Sequence, residues 1–338
     1  MSIKKISPMG FQLHVLDPFI VTFHHDDLFP KGNRTMEPEV MPEGKNNGED
    51  FDMQADWRMY YGDTVPGFPV HPHRGFETVT LMIKGFADHF DSKGSKGRYG
   101  QGDVQWMTAG AGVQHSEMFP LLNDDKENPM ELFQVWLNLP KKDKFAKPDY
   151  KMFWNEQVPT ITEKDQNGNL LEITIVAGEY KGTKSLDPLP SSWAYDRNNH
   201  VGIWLIKLEP NAEFTLPAVS STLNRVLYHY RGASIAIEEM VIAEKYEVEL
   251  TGDEEVHIKN GNGVTQLLLL EGEPINEPVA ASGPFVLNTM NEVKQAYYDY
   301  QKTCFGGWPW SSHGPVNDKE AGRFASYYDR KEIEYPPK

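Results

Sequence analysis

The stretch His71-Pro72-His73-Arg74-Gly75-Phe76-Glu77, read together with His115-Ser116-Glu117, decides how the rest of the chain is understood. Between the two lie short apolar runs, Val79 to Ile83 and Val104 to Met107, punctuated by Gly85, Gly94, Gly97, Gly100, Gly102, Gly110 and Gly112. Runs bounded in this way read as short strands joined by turns. Residues i and i+2 of a strand point to the same face. His71 and His73 therefore share a face, and so do His115 and Glu117. Folding that brings the two pairs together offers three imidazoles and a carboxylate to one point. By strand parity Glu77 also falls on the face of His71 and His73.

The donor set narrows the chemistry. The only cysteine is Cys304, so no thiolate accompanies these groups. An all N/O set suits iron, manganese, nickel, copper or zinc, and disfavours a closed structural zinc site. Four ligands on an octahedral metal leave two positions open, enough for a substrate and a second small molecule such as dioxygen. A single His-X-His pair is common in strands and loops. The second pair with its carboxylate, in a glycine-rich strand region, is what favours a metal.

Three longer segments carry a family resemblance: HPHRGFETVT (71–80), GDVQWMTAGAGVQHSEM (102–118) and GPFVLNT (283–289). With Asp17-Pro18-Phe19, Gly272-Glu273-Pro274 and Glu277-Pro278, they make residues 10–305 resemble the pirin family of iron-binding bicupins. The resemblance implies an all-β fold of two tandem cupin (jelly-roll-like) β-barrels, to which the residues after 290 add a short C-terminal helix and an extended tail. It implies one metal, Fe(II) or another divalent first-row ion, on His71, His73, His115 and Glu117. The generic cupin motif, His-X-His with Glu four residues on, would add Glu77 as a ligand. The pirin pattern does not, and leaves Glu77 to orient a ligand histidine.

The resemblance also implies an activity: a dioxygenase of the quercetin 2,3-dioxygenase type, taking a flavonol or similar small aromatic together with dioxygen. Glu117 would then act as catalytic base as well as ligand. The alternative is a non-catalytic, iron- and redox-responsive regulator that binds a protein partner. A metal-bound isomerase is a third reading.

Composition sets outer bounds. The chain has 338 residues, 39% apolar and 12% aromatic, enough for two packed domains. Its net charge is −16, from 33 basic and 49 acidic residues, which repels phosphate backbones and argues against direct nucleic-acid binding. A single cysteine permits no intrachain disulfide and suits a reducing compartment. The start, MSIKKISPMGFQLHVLDPF, has no sustained apolar core and is not read as a signal peptide. No segment approaches the roughly 20 apolar residues that span a bilayer. A cytoplasmic protein without a membrane partner is expected.

Along the chain, residues 1–145 are expected to form the metal-binding barrel, 146–290 a metal-free barrel, and 291–338 a helix and tail packing back on the body. His24-His25-Asp26-Asp27 reads as a polar loop or pocket rim, and 28–55 as a polar insertion that covers the metal, binds a partner or stays solvated. His89, in a hairpin with its turn at 92–97, is expected to be satisfied or exposed. Phe133 to Leu139 alternates as the strand that closes the first barrel. Residues 141–170 connect the domains, with a hairpin turn at Asn167-Gly168.

In the second half, Val226 to Gly232 matches Val79 to Gly85, but Ser220-Ser221-Thr222 stands where a His-X-His would be needed. Residues 291–302 have helical spacing, with Val293, Ala296, Tyr297 and Tyr300 on one stripe and Asn288 or Thr289 as cap. Trp308-Pro309-Trp310 is too apolar for a free tail and predicts docking.

Overall fold

Strand accounts for 45% of residues and helix for 8%, in a computed structural model that describes residues 2–338. The contacts gather into two units. One contains Phe23–Glu156 and Glu277–Lys338, the other Met1–Thr22 and Gln157–Asn276. These units interleave along the chain, whereas the boundaries expected from the sequence run consecutively. One reason lies in backbone pairing: the opening strand Ile3–Pro8 is hydrogen-bonded antiparallel to Tyr246–Leu250, which satisfies its donors and acceptors late in the sequence.

The unit that carries the candidate site is built on two sheets. One has the strand order Asp149–Phe153, Val104–Thr108, Phe76–Lys84, Asn128–Asn138, Phe19–Phe29. The other runs Ile333–Glu334, Phe324–Ser326, Lys96–Gly100, Phe86–Asp91, Val113–Met118, Gly67–His73. The expected closing strand is present as Asn128–Asn138. Its Phe133, Val135 and Leu137 are fully buried on one face, and Gln134 and Trp136 stand on the other, half-buried.

Gly75 decides how the first motif is split between the sheets. Its φ is +88, and a Cβ there would lie 2.0 Å from the Val286 carbonyl oxygen, so no other residue fits without displacing backbone. The turn ends one strand at His73 and starts the next at Phe76. Lys144 clamps it: the buried ammonium donates to the carbonyls of Gly75 (2.9 Å) and Val286 (3.1 Å) and to Asn138 Oδ1 (2.7 Å). Burial lowers the Lys144 pKa to about 8.

The helix spans Met290–Thr303 with Thr289 as its cap. Thr289 Oγ1 accepts from the Glu292 N–H (3.2 Å), the side-chain cap of the first turn, and Glu292 Oε2 reaches back to accept from the Asn288 N–H (3.2 Å). Val293 and Ala296 pack with Phe285, Leu287 and Phe305, while Tyr297 at the stripe's edge is exposed. Beyond the helix the chain returns to the same unit's sheet. Trp310 Nε1 donates to the Asp91 carbonyl (2.8 Å) and the indole meets Phe90 edge-on. Phe324–Ser326 then pairs with Lys96–Gly100.

The other unit has a seven-stranded sheet and a four-stranded sheet. An apolar cluster that includes Ile173, Trp204, Phe214, Leu227, Val248 and Leu269 packs within it. The hairpin turn falls at Asn167-Gly168 (Gly168 φ +86), between strands Thr160–Lys164 and Leu170–Ala177. Strands Asp149–Phe153 and Thr160–Lys164 lie within residues 141–170, where the sequence predicts a connection with one hairpin turn.

Candidate metal centre

Strand register assembles the site. Gly67–His73 pairs antiparallel with Val113–Met118, and His71 lies directly opposite His115. Parity then places His73 beside them and Glu117 on the same face. The ligand nitrogens of His71, His73 and His115 all lie within 4.8 Å of one another. Their ring centroids are 4.5 to 4.9 Å apart. Glu117 Oε2 is 3.7 Å from His115 Nε2.

The hydrogen bonds say what these rings lack. His71 Nδ1 faces the Pro69 carbonyl at 2.8 Å. A carbonyl only accepts, so Nδ1 carries the proton and Nε2 keeps its lone pair. His115 is fully buried and neither ring nitrogen has a hydrogen-bond partner. His73 is buried too and forms no hydrogen bond of normal geometry, although the Pro284 carbonyl lies near enough to oppose part of its pKa shift. A buried polar group without a partner costs about 1–3 kcal/mol. Two adjacent imidazoles in that state fit a site that a cation would complete.

Electrostatics points the same way. Burial lowers the pKa of His71, and lowers those of His73 and His115 far below the ordinary histidine value, with neighbouring imidazoles adding to the effect. All three rings are therefore neutral near pH 7, the form a metal needs.

Glu117 is held from both sides. Gln134 Nε2 donates to Oε2 at 2.7 Å, while Thr80 Oγ1 and the Tyr99 hydroxyl approach Oε1 at 3.3 and 3.5 Å. Around the cluster, Phe68, His71, Gln134 and Trp136 are the partly exposed side chains. Phe76 and Trp136 stack at 4.3 Å, and both meet His73 edge-on. Two larger cavities are lined by other residues. One of about 890 Å³ includes Tyr180 and Phe214; one of about 500 Å³ includes Phe29, Phe119 and Met130.

Several expectations change here. Glu77 does not share a face with His71 and His73, because the Gly75 turn moves it to the opposite sheet. It is fully buried and accepts from Thr108 Oγ1 at 2.6 Å. His89 is neither exposed nor hydrogen-bonded: it is fully buried, its centroid 5.6 Å from that of His115 and its Nε2 3.6 Å from Asp91 Oδ2. Register places it opposite Glu117, which strand parity alone did not reveal.

His24 to Asp27 lie within strand Phe19–Phe29 rather than a loop. His25 and Asp27 form a buried network in which His25 Nδ1 meets the Tyr60 hydroxyl (2.8 Å), that hydroxyl donates to Asp27 (2.7 Å), and Arg58 pairs with Asp27 (2.8 Å). Within residues 28–55 Met36 is buried and Asp50 Oδ2 accepts from the Met59 N–H at 2.8 Å, so the insertion is anchored and not merely solvated. Sequence reading also missed Thr80, Tyr99 and Gln134. For Gln134 a signal existed: it is a polar residue between Phe133 and Val135 in an alternating, largely apolar run.

A pH dependence follows. Burial, with His24 and Arg58 nearby, lowers the His25 pKa to about 3, and His71, His73 and His115 shift the same way. Below pH 6.5 the unfolded chain binds protons that the folded chain refuses, so stability falls as pH falls. For His25 the window runs from 6.5 down to about 3. Denaturant titrations of metal-free protein at pH 7 and 5 should show the loss, up to about 1.4 kcal/mol per pH unit for each such histidine. His25→Gln should show a shallower slope.

Comparison with known proteins places this geometry. The Pirin family model matches residues 34–137, and the model for the pirin C-terminal cupin domain matches residues 203–306. The chain belongs to the pirin family. A pirin-like protein of Solanum lycopersicum is 38% identical over 238 residues, which is 70% of this chain and 75% of that protein. Pirin-1 of Arabidopsis thaliana is 36% identical over 243 residues, 71% of this chain and 78% of that protein. Among solved structures, a quercetin 2,3-dioxygenase from Acinetobacter baumannii superposes with a TM-score of 0.70 at 25% identity, over 90% of this chain and 98% of that one. The first pirin match contains all four candidate ligands. The two cupin domains and the C-terminal helix of this pirin-family chain agree with the architecture expected from its motifs. Among the described residues no helix is long and apolar enough to cross a membrane.

Proposed function

We propose that this pirin-family protein holds one divalent first-row metal, Fe(II) in its working form, on His71, His73, His115 and Glu117, and acts as a dioxygenase of the quercetin 2,3-dioxygenase type. The observation that carries the reading is the convergence of three imidazoles, two of them buried and without hydrogen-bond partners, beside a carboxylate. The likeness to a protein named quercetin 2,3-dioxygenase supplies the substrate class, a flavonol or similar aromatic. A cytoplasmic setting goes with the single cysteine.

When bound, the metal supplies Lewis acidity toward a substrate hydroxyl and an open position for dioxygen. The chain's own groups do the rest. His71, with its Nδ1 proton committed to Pro69, presents Nε2; His73 and His115 complete the nitrogen set. Glu117 takes the hydroxyl proton at Oε1, the oxygen whose contacts from Thr80 and Tyr99 are long. Phe68 and Trp136 offer aromatic surface against which a flat substrate can lie, with Phe76 stacked behind Trp136, and they keep water from it.

The test is anaerobic loading with Fe(II), then quercetin and oxygen, following loss of flavonol absorbance and release of carbon monoxide. Wild type should turn over quercetin and His73→Ala should not. If the two proceed at the same rate, the flavonol reaction is wrong, and a metal-responsive regulator that binds a protein partner becomes the better reading of the site.

A further inference from the structure

Glu117 is asked to be both ligand and base, and those two tasks need its two oxygens to differ. We propose that Gln134, oriented by Trp136, is the positioning residue that makes them differ, by holding Oε2 in place while leaving Oε1 free for the proton. The inference rests on the metal site proposed above.

The argument starts from strand periodicity. Gln134 and Trp136 are two apart on strand Asn128–Asn138 and so project to one face. Gln134 is the register partner of Thr80 on the neighbouring strand, and both side chains reach Glu117. The Trp136 indole can only donate, and its Nε1 lies 3.2 Å from Gln134 Oε1. That contact settles which way the amide points. Its NH₂ must face Glu117, where Nε2 lies 2.7 Å from Oε2. Flipping the amide would set donor against donor and acceptor against acceptor. Trp136 is itself fixed by stacking on Phe76.

The result is asymmetric. Oε2, the oxygen that lies 3.7 Å from His115 Nε2, is tied by a short bond to a neutral amide. Oε1 has only two long contacts. A neutral donor fixes the carboxylate without cancelling its charge, as a lysine or arginine would. Restraining one oxygen favours attachment through that oxygen alone, so the other can accept a proton without the ligand leaving.

Co(II) is a suitable probe, because its visible absorption reports the number and arrangement of ligands independently of turnover. Wild type, Gln134→Leu, Trp136→Phe and the double variant are titrated with Co(II), with unfolding midpoints of each metal-free protein as a control on folding. Gln134→Leu should weaken Co(II) binding roughly 10- to 100-fold and change the shape of the visible bands. Trp136→Phe keeps an aromatic ring against Phe76 and loses the donor, so it should give a smaller change of the same kind. Because Trp136 acts through Gln134, the double variant should bind no worse than Gln134→Leu alone.

Wild-type affinity and an unchanged spectrum in Gln134→Leu would overturn the proposal while leaving the metal site intact. Additive losses in the double variant would overturn the role of Trp136. If Gln134→Leu does not fold, an unchanged spectrum in Trp136→Phe decides against the proposal. A wild type that takes up no Co(II) would remove the metal site itself and this inference with it.

Discussion

His115→Ala is expected to purify without bound metal and to gain no stability when divalent metal is added. The wild-type protein, by contrast, should gain about 4 kcal/mol when free metal exceeds its Kd by about a thousandfold. The reasoning is local. His115 is at the centre of the cluster, opposite His71 in register and within 4.9 Å of both other rings by centroid. Its removal leaves two imidazoles and a carboxylate with a gap between them. In the absence of metal the cost of the cavity that the same variant leaves is offset in part, because the deleted ring is a buried polar group that has no hydrogen-bond partner. Glu77→Gln is the matched control. Glu77 is on the strand beyond the Gly75 turn and holds Thr108, so that variant should keep its metal. Metal analysis and thermal unfolding with and without added ion read both outcomes. Metal lost from Glu77→Gln would make the generic cupin motif the better guide, and metal retained by His115→Ala would contradict the ligand set.

Asp88→Ala should cost about 3–5 kcal/mol, the range for removing one member of a buried ion pair. Arg98 and Asp88 are fully buried and joined by two bonds, Nε to Oδ1 at 2.7 Å and an η nitrogen to Oδ2 at 2.8 Å. Burial raises the Asp88 pKa even beside this guanidinium, a sign of how expensive the desolvation is. The pair also ties down the C-terminal tail. Arg98 donates to the carbonyls of Asn317, Asp318 and Lys319, and Asp88 Oδ2 accepts from the Asn317 N–H at 2.8 Å. Without the carboxylate the guanidinium is left buried and uncompensated, and the tail loses an anchor. Denaturant unfolding should show the lost stability, and limited proteolysis should cut the variant near residues 311–323 before the barrel is attacked. Wild-type resistance in that segment would mean that Trp310 and the pairing of Phe324–Ser326 hold the tail without the ion pair.

What could be read in advance depended on whether the signal was local. Side-chain parity within a strand is local, so His71 with His73 and His115 with Glu117 were legible as pairs. Thr289 as a helix cap and Asn167-Gly168 as a hairpin turn belong to the same class. The pirin motifs supplied the architecture that these local signals do not contain.

Apart from Glu77, the failures share one cause, which is register or pairing between distant segments. Nothing in the spacing of His89 tells that it lies opposite Glu117, or that Gln134 lies opposite Thr80. Parity failed for Glu77 because counting assumed an unbroken strand, and Gly75, which could have warned of a turn, was passed over. His24 to Asp27 looked like a loop because polar residues on both faces of a strand are unusual. Here one face is buried through the bonds of His25 and Asp27 to Tyr60 and Arg58, which follow the inserted segment.

Anomalous diffraction from a crystal of the Fe(II)-loaded protein, collected at the iron edge, tests the account most directly. It predicts one strong peak enclosed by His71, His73, His115 and Glu117. A crystal with those four side chains turned apart, or with its peak among residues 157–276 instead, would contradict it.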